Sequence, residues 1–404
     1  MINVAVLGYG TIGAGVVRVL QTNVESIARN AGQTLVVKRI LDLREFPGDP
    51  NADLVVHDYN IIKEDEDIQI VVECMGGLNP AYPFVKTALE QGRSVATSNK
   101  ELVAKYGAEL IAIARENNCN FLFEASVGGG IPLIRPLTTC LTADVIEEIT
   151  GILNGTTNYM LTKMSEEGLP FDDVLKEAQE KGYAELHPEA DVEGYDACRK
   201  IAILTSLVSG YQVDFEDIHT EGITGITAED FLYARAMRSA IKLLAKSWKK
   251  DGKYYAMVAP MLIEHDHPLY SVRDVFNAVF VHGNMVDDIM FYGKGAGELP
   301  TASAVVSDVI ESARAMGTNR RIFWSPEKLV LQSLRKCEGR FFVRMEKTVS
   351  REAIEEAFGP VDYVVAEGLD EHAFATRTMT EGDFHRAAAG LGHVIRMIRI
   401  YQKY

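Results

Sequence analysis

The first thirteen residues narrow the possible folds of this chain more than any other stretch. An apolar run, Asn3–Leu7, leads directly into Gly8-Tyr9-Gly10-Thr11-Ile12-Gly13, and a helix-forming segment follows. A buried strand, a glycine-rich turn and a helix in that order make the phosphate-cradling entry of a dinucleotide-binding βαβ unit. Gly8 permits the tight turn, and Gly10 lets the main chain approach a pyrophosphate. Gly13 lets the helix close on the strand, with the amides around Thr11 and Ile12 aimed at the phosphates. A GxGxxG read alone could be a turn packed for structure; its position after a strand gives it weight.

The pattern continues as alternating strands and helices. Strands are expected at Leu35–Leu41, Ile68–Glu73, Ser94–Thr97 and Phe121–Glu124. Helices are expected from about Gly13 to Asn30, at Ala81–Gln91 and near Glu101–Asn117. This series predicts a Rossmann-like, doubly wound α/β domain over residues 1–130, completed by a return helix at about 300–320. Residues 131–299 read as an α+β substrate and dimerisation domain with an open sheet. Its strands are expected at Ile146–Leu153, Tyr254–Val258, Ala278–His282 and Asp288–Tyr292, and its long helices at Phe171–Lys181, Tyr195–Ser209 and Ala228–Ser247. Residues 339–404 alternate as strand, helix, strand, strand, helix, strand, the order of a small ferredoxin-like module.

Composition limits the function classes. A formal net charge of −16 disfavours nucleic-acid and anionic-membrane partners. No apolar run approaches the roughly 18 residues of a membrane span, and MINVAVLGYG lacks the basic start of a secretory signal. Five cysteines, without any CxxC, suit reduced thiols in a cytoplasmic protein.

Seven stretches, in this order and spacing, resemble homoserine dehydrogenase over residues 1–320. They are GYGTIGAGV, VVECMGG, ATSNKELVA, FEASVGGGIPLIRPL, GILNGTTNYML, YAELHPEADVEGYDACRKIAIL and GKGAGELPTASAVVSD. The resemblance implies reversible NAD(P)H-dependent reduction of L-aspartate 4-semialdehyde to L-homoserine, in threonine, methionine and isoleucine biosynthesis, by a homodimer or homotetramer.

Reducing an aldehyde puts negative charge on the carbonyl oxygen, so a proton donor must stand beside it. Asp196 and Lys200 lie four apart on one helix face. An exposed ion pair is the ordinary reading of that spacing. The resemblance instead implies a catalytic Lys200 held by Asp196, with Lys100 as a second functional lysine; which of the two donates stays open. By the same resemblance Glu185, Asp191, Gly155 and Thr156 bind the substrate. Ser98, Lys100, Met75 and Gly76 border the nicotinamide, and Gly297, Glu298 and Thr301 complete the cofactor site. Asp42 ends the second strand, where a carboxylate can accept from a ribose 2′-hydroxyl. Arg39 and Arg44 beside it could face a 2′-phosphate, so NAD and NADP both stay open. Glu124, with carbonyls at Val127, Gly129 and Ile131, resembles a loop that holds a monovalent cation, Na⁺ or K⁺; a glycine-rich hinge is the alternative.

Three departures stand out. The family's Glu-Pro-Asp-Pro reads Glu185-Leu186-His187-Pro188 here, which bears on substrate affinity or loop rigidity. Glu45-Phe-Pro-Gly48 replaces the basic run of NADP-using relatives. The C-terminal module is ACT-like in strand order, yet Glu346-Lys-Thr-Val-Ser350 lacks the Pro-Gly of ligand-binding turns, so a role in assembly without a threonine pocket is expected. Two other functions compete with this reading: another NAD(P)-dependent aldehyde oxidoreductase, which needs an activated cysteine, and a catalytically silent amino-acid sensor.

Overall fold

The computed structural model describes residues 1–403 and divides them into two compact units. The first holds residues 1–144, 202–215 and 293–329; the second holds 145–201, 216–292 and 330 onward. The first unit carries six parallel strands: β1 (Ile2–Leu7), β2 (Leu35–Leu41), β3 (Val55–Val56), β4 (Ile68–Glu73), β5 (Ser94–Thr97) and β6 (Phe121–Leu122). Their order is β3-β2-β1-β4-β5-β6, so the chain switches direction at β1, and the crevice where nucleotides collect opens there. The expected helix from Gly13 to Asn30 is two helices, Thr11–Thr22 and Val24–Ala31, divided at Asn23. The return helix is Glu298–Arg314, whose Ala302, Val305, Val306 and Val309 share a core with Val4, Val6, Val16 and Val17. It lies so close to the first helix that a Cβ on Gly15 would come 2.9 Å from Glu298 Cγ.

In the second unit one mixed sheet contains eleven strands. Along its main path run Asp287–Lys294, Phe276–Gly283, Ile146–Ile152, Ser239–Lys250, Lys253–Glu264, Val394–Ile400, Glu338–Glu346, Glu371–Thr376 and Val361–Tyr363. The last four form the ferredoxin-like arrangement, all antiparallel, around Phe341, Val343, Ile354, Phe358, Phe374 and Phe384. The terminal strand pairs in parallel with Lys253–Glu264 through Met261↔Arg399 and Leu262↔Ile400, so the module extends the sheet.

The helix expected at Ala228–Ser247 is corrected: it ends at Ala236, and Ser239–Lys250 is a strand. Lys242 and Lys246, four apart, look like the wet face of a helix. In the strand both point to one side, and both are buried. The strand turns through Asp251-Gly252, both at positive φ, into an antiparallel hairpin. The second strand of the C-terminal module is short, Val361–Tyr363.

Candidate active site

Main-chain geometry dominates the turn after β1. Gly8 has φ +92°, and a Cβ on Gly13 would sit 1.8 Å from Gly8 O, a separation only glycine permits. The turn borders a cleft of about 500 Å³ lined by Gly8, Gly10, Asp42, Arg44, Tyr59 and Met75, among others. Asp42, at the end of β2, accepts the Tyr9 amide at 2.8 Å and the Arg44 fork at 2.9 Å on each oxygen. The Arg44 guanidinium holds the Asp42 carboxyl far below the usual carboxylate range, against the effect of burial. Asp42 and Arg44 thus form one bidentate pair beside the glycine turn. Gly297, at φ +113°, precedes the return helix, and its carbonyl accepts the buried Thr301 amide.

Glu73 is a buried carboxylate that the motifs alone did not single out. It ends β4 completely buried, and its carboxylate accepts Met75 N at 2.8 Å, Gly76 N at 3.3 Å and Thr97 Oγ1 at 2.6 Å. Burial pushes its carboxyl up, opposed by those three donors. Asn99 then donates to Gly77 O at 2.6 Å and caps the helix that starts at Lys100 by accepting from Leu102 N. One carboxylate therefore ties the Met75–Gly77 turn to the Ser98–Lys100 turn at the sheet edge. The available signal was an acidic residue closing the apolar run Ile68–Val72.

In the second unit Gly194, at φ +82°, packs against Thr220 and Val258 and opens the helix Tyr195–Ser209. Asp196 and Lys200 follow one turn apart, both buried. Lys200 Nζ donates to Asp196 Oδ2 at 2.7 Å and to Leu153 O at 2.8 Å. Asn154 Nδ2 donates to the same Asp196 oxygen at 2.9 Å and to Asp191 Oδ1 at 2.7 Å, joining two carboxylates that would otherwise repel. Its Oδ1 caps the helix Gly155–Glu167 by accepting from Thr157 N. Asn154 is thus the organiser of this cluster, and its helix-capping position was the sequence signal. A buried ion pair persists only when further hydrogen bonds satisfy it, and Leu153 O and Asn154 provide them.

The neighbouring polar side chains are held by main-chain oxygens. Thr156 Oγ1 donates to Tyr183 O at 2.6 Å, and Asn158 Nδ2 donates to Asp274 O and Phe276 O. A Cβ on Gly155 would come 2.8 Å from Val275 O. Glu185 is exposed; of its groups the carbonyl is held, by Gln179.

Glu124 is buried, and its carboxylate accepts the amides of Leu133, Ile134 and Arg135 at 2.5, 2.7 and 2.8 Å. Its amide donates to Asp308, whose carboxyl burial pushes up to about 7 and which also pairs with Arg135 at 2.6 Å. The side chain therefore anchors the loop. Gly129 sits where a Cβ would meet Gly295 O at 2.2 Å, which brings this loop against the Gly295–Gly297 loop.

Burial pushes the Cys198 thiol up and the Cys119 thiol to about 11, away from thiolate.

Sheet order, glycine turn and cleft define an NAD(P)-dependent oxidoreductase. Residues 8–124 match the model described as the homoserine dehydrogenase NAD-binding domain, and residues 132–310 match that described as homoserine dehydrogenase. The homoserine dehydrogenase of Bacillus subtilis is 41% identical over 332 residues, covering 81% of this chain and 76% of the relative. That of Synechocystis is 44% identical over 317 residues, covering 76% and 72%. Among solved structures, a homoserine dehydrogenase from Thiobacillus denitrificans superposes with a TM-score of 0.89 at 33% identity, covering 99% of this chain and 98% of that one. A hyperthermophilic archaeal homoserine dehydrogenase in complex with NADPH superposes at 0.63 and 29% identity, covering 77% and 97%. The chain belongs to the homoserine dehydrogenase family and is an NAD(P)-dependent oxidoreductase acting on a small molecule. Among the described residues, no helix is long and apolar enough to cross a membrane.

Proposed function

We propose that Lys200 is the proton donor in reduction of L-aspartate 4-semialdehyde to L-homoserine. The observation that carries this reading is the buried set Lys200–Asp196–Asn154–Asp191. The bound nicotinamide cofactor supplies the hydride. Lys200 Nζ then gives a proton to the developing alkoxide, and Asp196 keeps the lysine oriented and charged until that moment. Asp191 and Asp196 offer negative charge to the substrate's ammonium group, with Glu185, Gly155 and Thr156 completing the substrate loops. Lys100, at the N-terminus of its helix, is the second functional lysine and serves the nicotinamide end of the cofactor.

The glycine turn, Asp42, Arg44, Met75, Gly76, Ser98, Gly297, Glu298 and Thr301 hold the dinucleotide. Arg44 is placed to serve the 2′-phosphate of NADP and Asp42 to serve the 2′-hydroxyl of NAD, so the cofactor is NADP or NAD. The carbonyls of Glu124, Val127, Gly129 and Ile131 suit a hard monovalent cation such as Na⁺ or K⁺. The enzyme works in the cytoplasm as a homodimer or homotetramer, with the ACT-like module contributing to assembly and holding no threonine.

The test is oxidation of NADPH and of NADH with aspartate semialdehyde by wild type, Lys200→Ala and Lys100→Ala. Collapse of kcat in Lys200→Ala, with cofactor Kd intact, supports the assignment. A collapse confined to Lys100→Ala moves the proton to that lysine, and no turnover in folded wild type refutes the substrate. Unchanged activity under added threonine supports the reading of the module, and strong inhibition overturns it.

A further inference from the structure

Three lysines of the second unit are buried, and two of them meet a carboxylate. Lys200 pairs with Asp196. Lys246 Nζ lies 3.2 Å from Glu148 Oε1, which also accepts from Thr150 and Tyr401. Lys242 is the exception. It is 4% exposed, yet among the described residues no carboxylate pairs with it. Its ammonium donates to two neutral oxygens, Val272 O at 2.5 Å and Asn158 Oδ1 at 3.1 Å. Burial pulls its pKa down to about 8, and the charge of Arg273 pulls in the same direction, against the more distant carboxylates of Glu166 and Asp274, neither of which pairs with it. A buried ammonium without a counter-charge is costly, and folded proteins supply one from within or from a ligand.

Lys242 lines a cavity of about 150 Å³ that also presents Arg235, Arg238 and Arg273. Arg235 reaches Ser165 O and Arg238 reaches His265 Nε2, so neither is paired with a carboxylate among the described residues. Arg273 pairs with Glu166 at 2.8 Å, the one carboxylate in the lining. Four cations thus converge with one acid, in a chain whose formal net charge is −16. Arg238 also holds φ +52°, a left-handed conformation uncommon for a long side chain and typical of positions under local constraint.

We propose that this cavity is a binding site for a small oxyanion of the phosphate class, either free phosphate or the phosphoryl group of a phosphomonoester. Lys242 forms its floor, and Arg235, Arg238 and Arg273 form its rim. Arginine forks match the paired oxygens of such an anion, and the cavity is large enough for one tetrahedral group.

The experiment is calorimetric titration of the full chain, with dinucleotide saturating, using inorganic phosphate, glycerol phosphate and succinate in separate runs. Saturable binding of phosphate or glycerol phosphate is expected, with Kd raised about tenfold or more in Arg238→Ala/Arg273→Ala and turnover under basal conditions unchanged. Tighter glycerol phosphate assigns the site to the phosphoryl end of a larger molecule, and tighter phosphate assigns it to the free ion. Lys242→Met is expected to lose binding, but Lys242 also ties Val272 to its strand, so the exposed double variant decides. Absence of saturable binding by folded wild type overturns the proposal. So does a Kd unmoved by the double variant, or succinate binding as tightly as phosphate.

Discussion

Main-chain atoms make the turn at Gly8–Gly13, whereas side chains from three separate segments make the cluster at Lys200. At the turn, what matters is the absence of Cβ atoms: the Gly13 position lies 1.8 Å from a carbonyl oxygen once a Cβ is added. At the cluster, Leu153–Asn154, Asp191 and Asp196–Lys200 must arrive together, and the hydrogen bonds of one asparagine hold them. A backbone site is broken by adding an atom, and a side-chain site by removing one.

The largest expected effects set the two regions directly against each other. Gly13→Ala should abolish dinucleotide binding while the protein remains folded. Lys200→Met should lower kcat roughly a hundred- to ten-thousandfold with dinucleotide Kd unchanged. Fluorescence titration of NADPH alongside steady-state kinetics checks both, and a Lys200→Met enzyme that also fails to bind NADPH would break the comparison.

Next in size is Glu73→Ala, which removes the acceptor of two amides and a hydroxyl. Leaving such buried donors unmet costs about 1–3 kcal/mol each. A lower Tm and weaker NADPH binding are expected, with substrate KM at saturating NADPH little changed. Asn154→Ala should instead raise substrate KM and lower kcat, because Asp191 and Asp196 lose their shared donor. A kcat/KM loss of roughly ten- to a hundredfold is expected, and loss confined to Tm would show the asparagine to be scaffolding only.

The smallest effect concerns acid stability away from both regions. Arg399 joins Glu221 at 2.9 Å and Glu381 at 2.7 Å, linking the terminal strand to the segment His219–Glu221. Burial pushes Glu221 up, but His219 and Arg399 outweigh it and bring its pKa to about 2, below the ordinary 4.5. A depressed carboxyl contributes stability that is complete above the ordinary value and is lost as pH falls toward the folded one. Wild-type Tm should therefore drop as pH falls from about 4.5 toward 2, and Arg399→Met should flatten that limb. Parallel acid limbs in the two proteins would refute the role of this pair.

Much of the first unit was legible because its information is local. The strand before Gly8, the glycine spacing and the acidic end of β2 each act within a few residues. The return helix was readable from its apolar spacing. The Ser239–Lys250 strand was not: its lysines at i and i+4 fit the polar stripe of a helix, and only the neighbouring strands Ile146–Ile152 and Lys253–Glu264 decide otherwise. Glu124 was readable by resemblance as part of a cation loop, but not its amide partners, because Leu133–Arg135 reach it only through the loop's return.

From the amino-acid order alone came the doubly wound domain, the dinucleotide turn, the Asp196–Lys200 spacing and the ferredoxin-like alternation of the C-terminal segment. Each follows from steric rules and periodicities that operate over a turn or a strand. Tertiary structure alone decided that Asn154 bridges Asp191 and Asp196, that Glu73 ties two turns together, and that the terminal strand joins Lys253–Glu264. It also decided that Lys242 is buried with no carboxylate paired to it among the described residues. These outcomes depend on which distant groups share a low-dielectric interior, where an unmet charge or donor is costly and the partner comes from folding rather than from sequence neighbours.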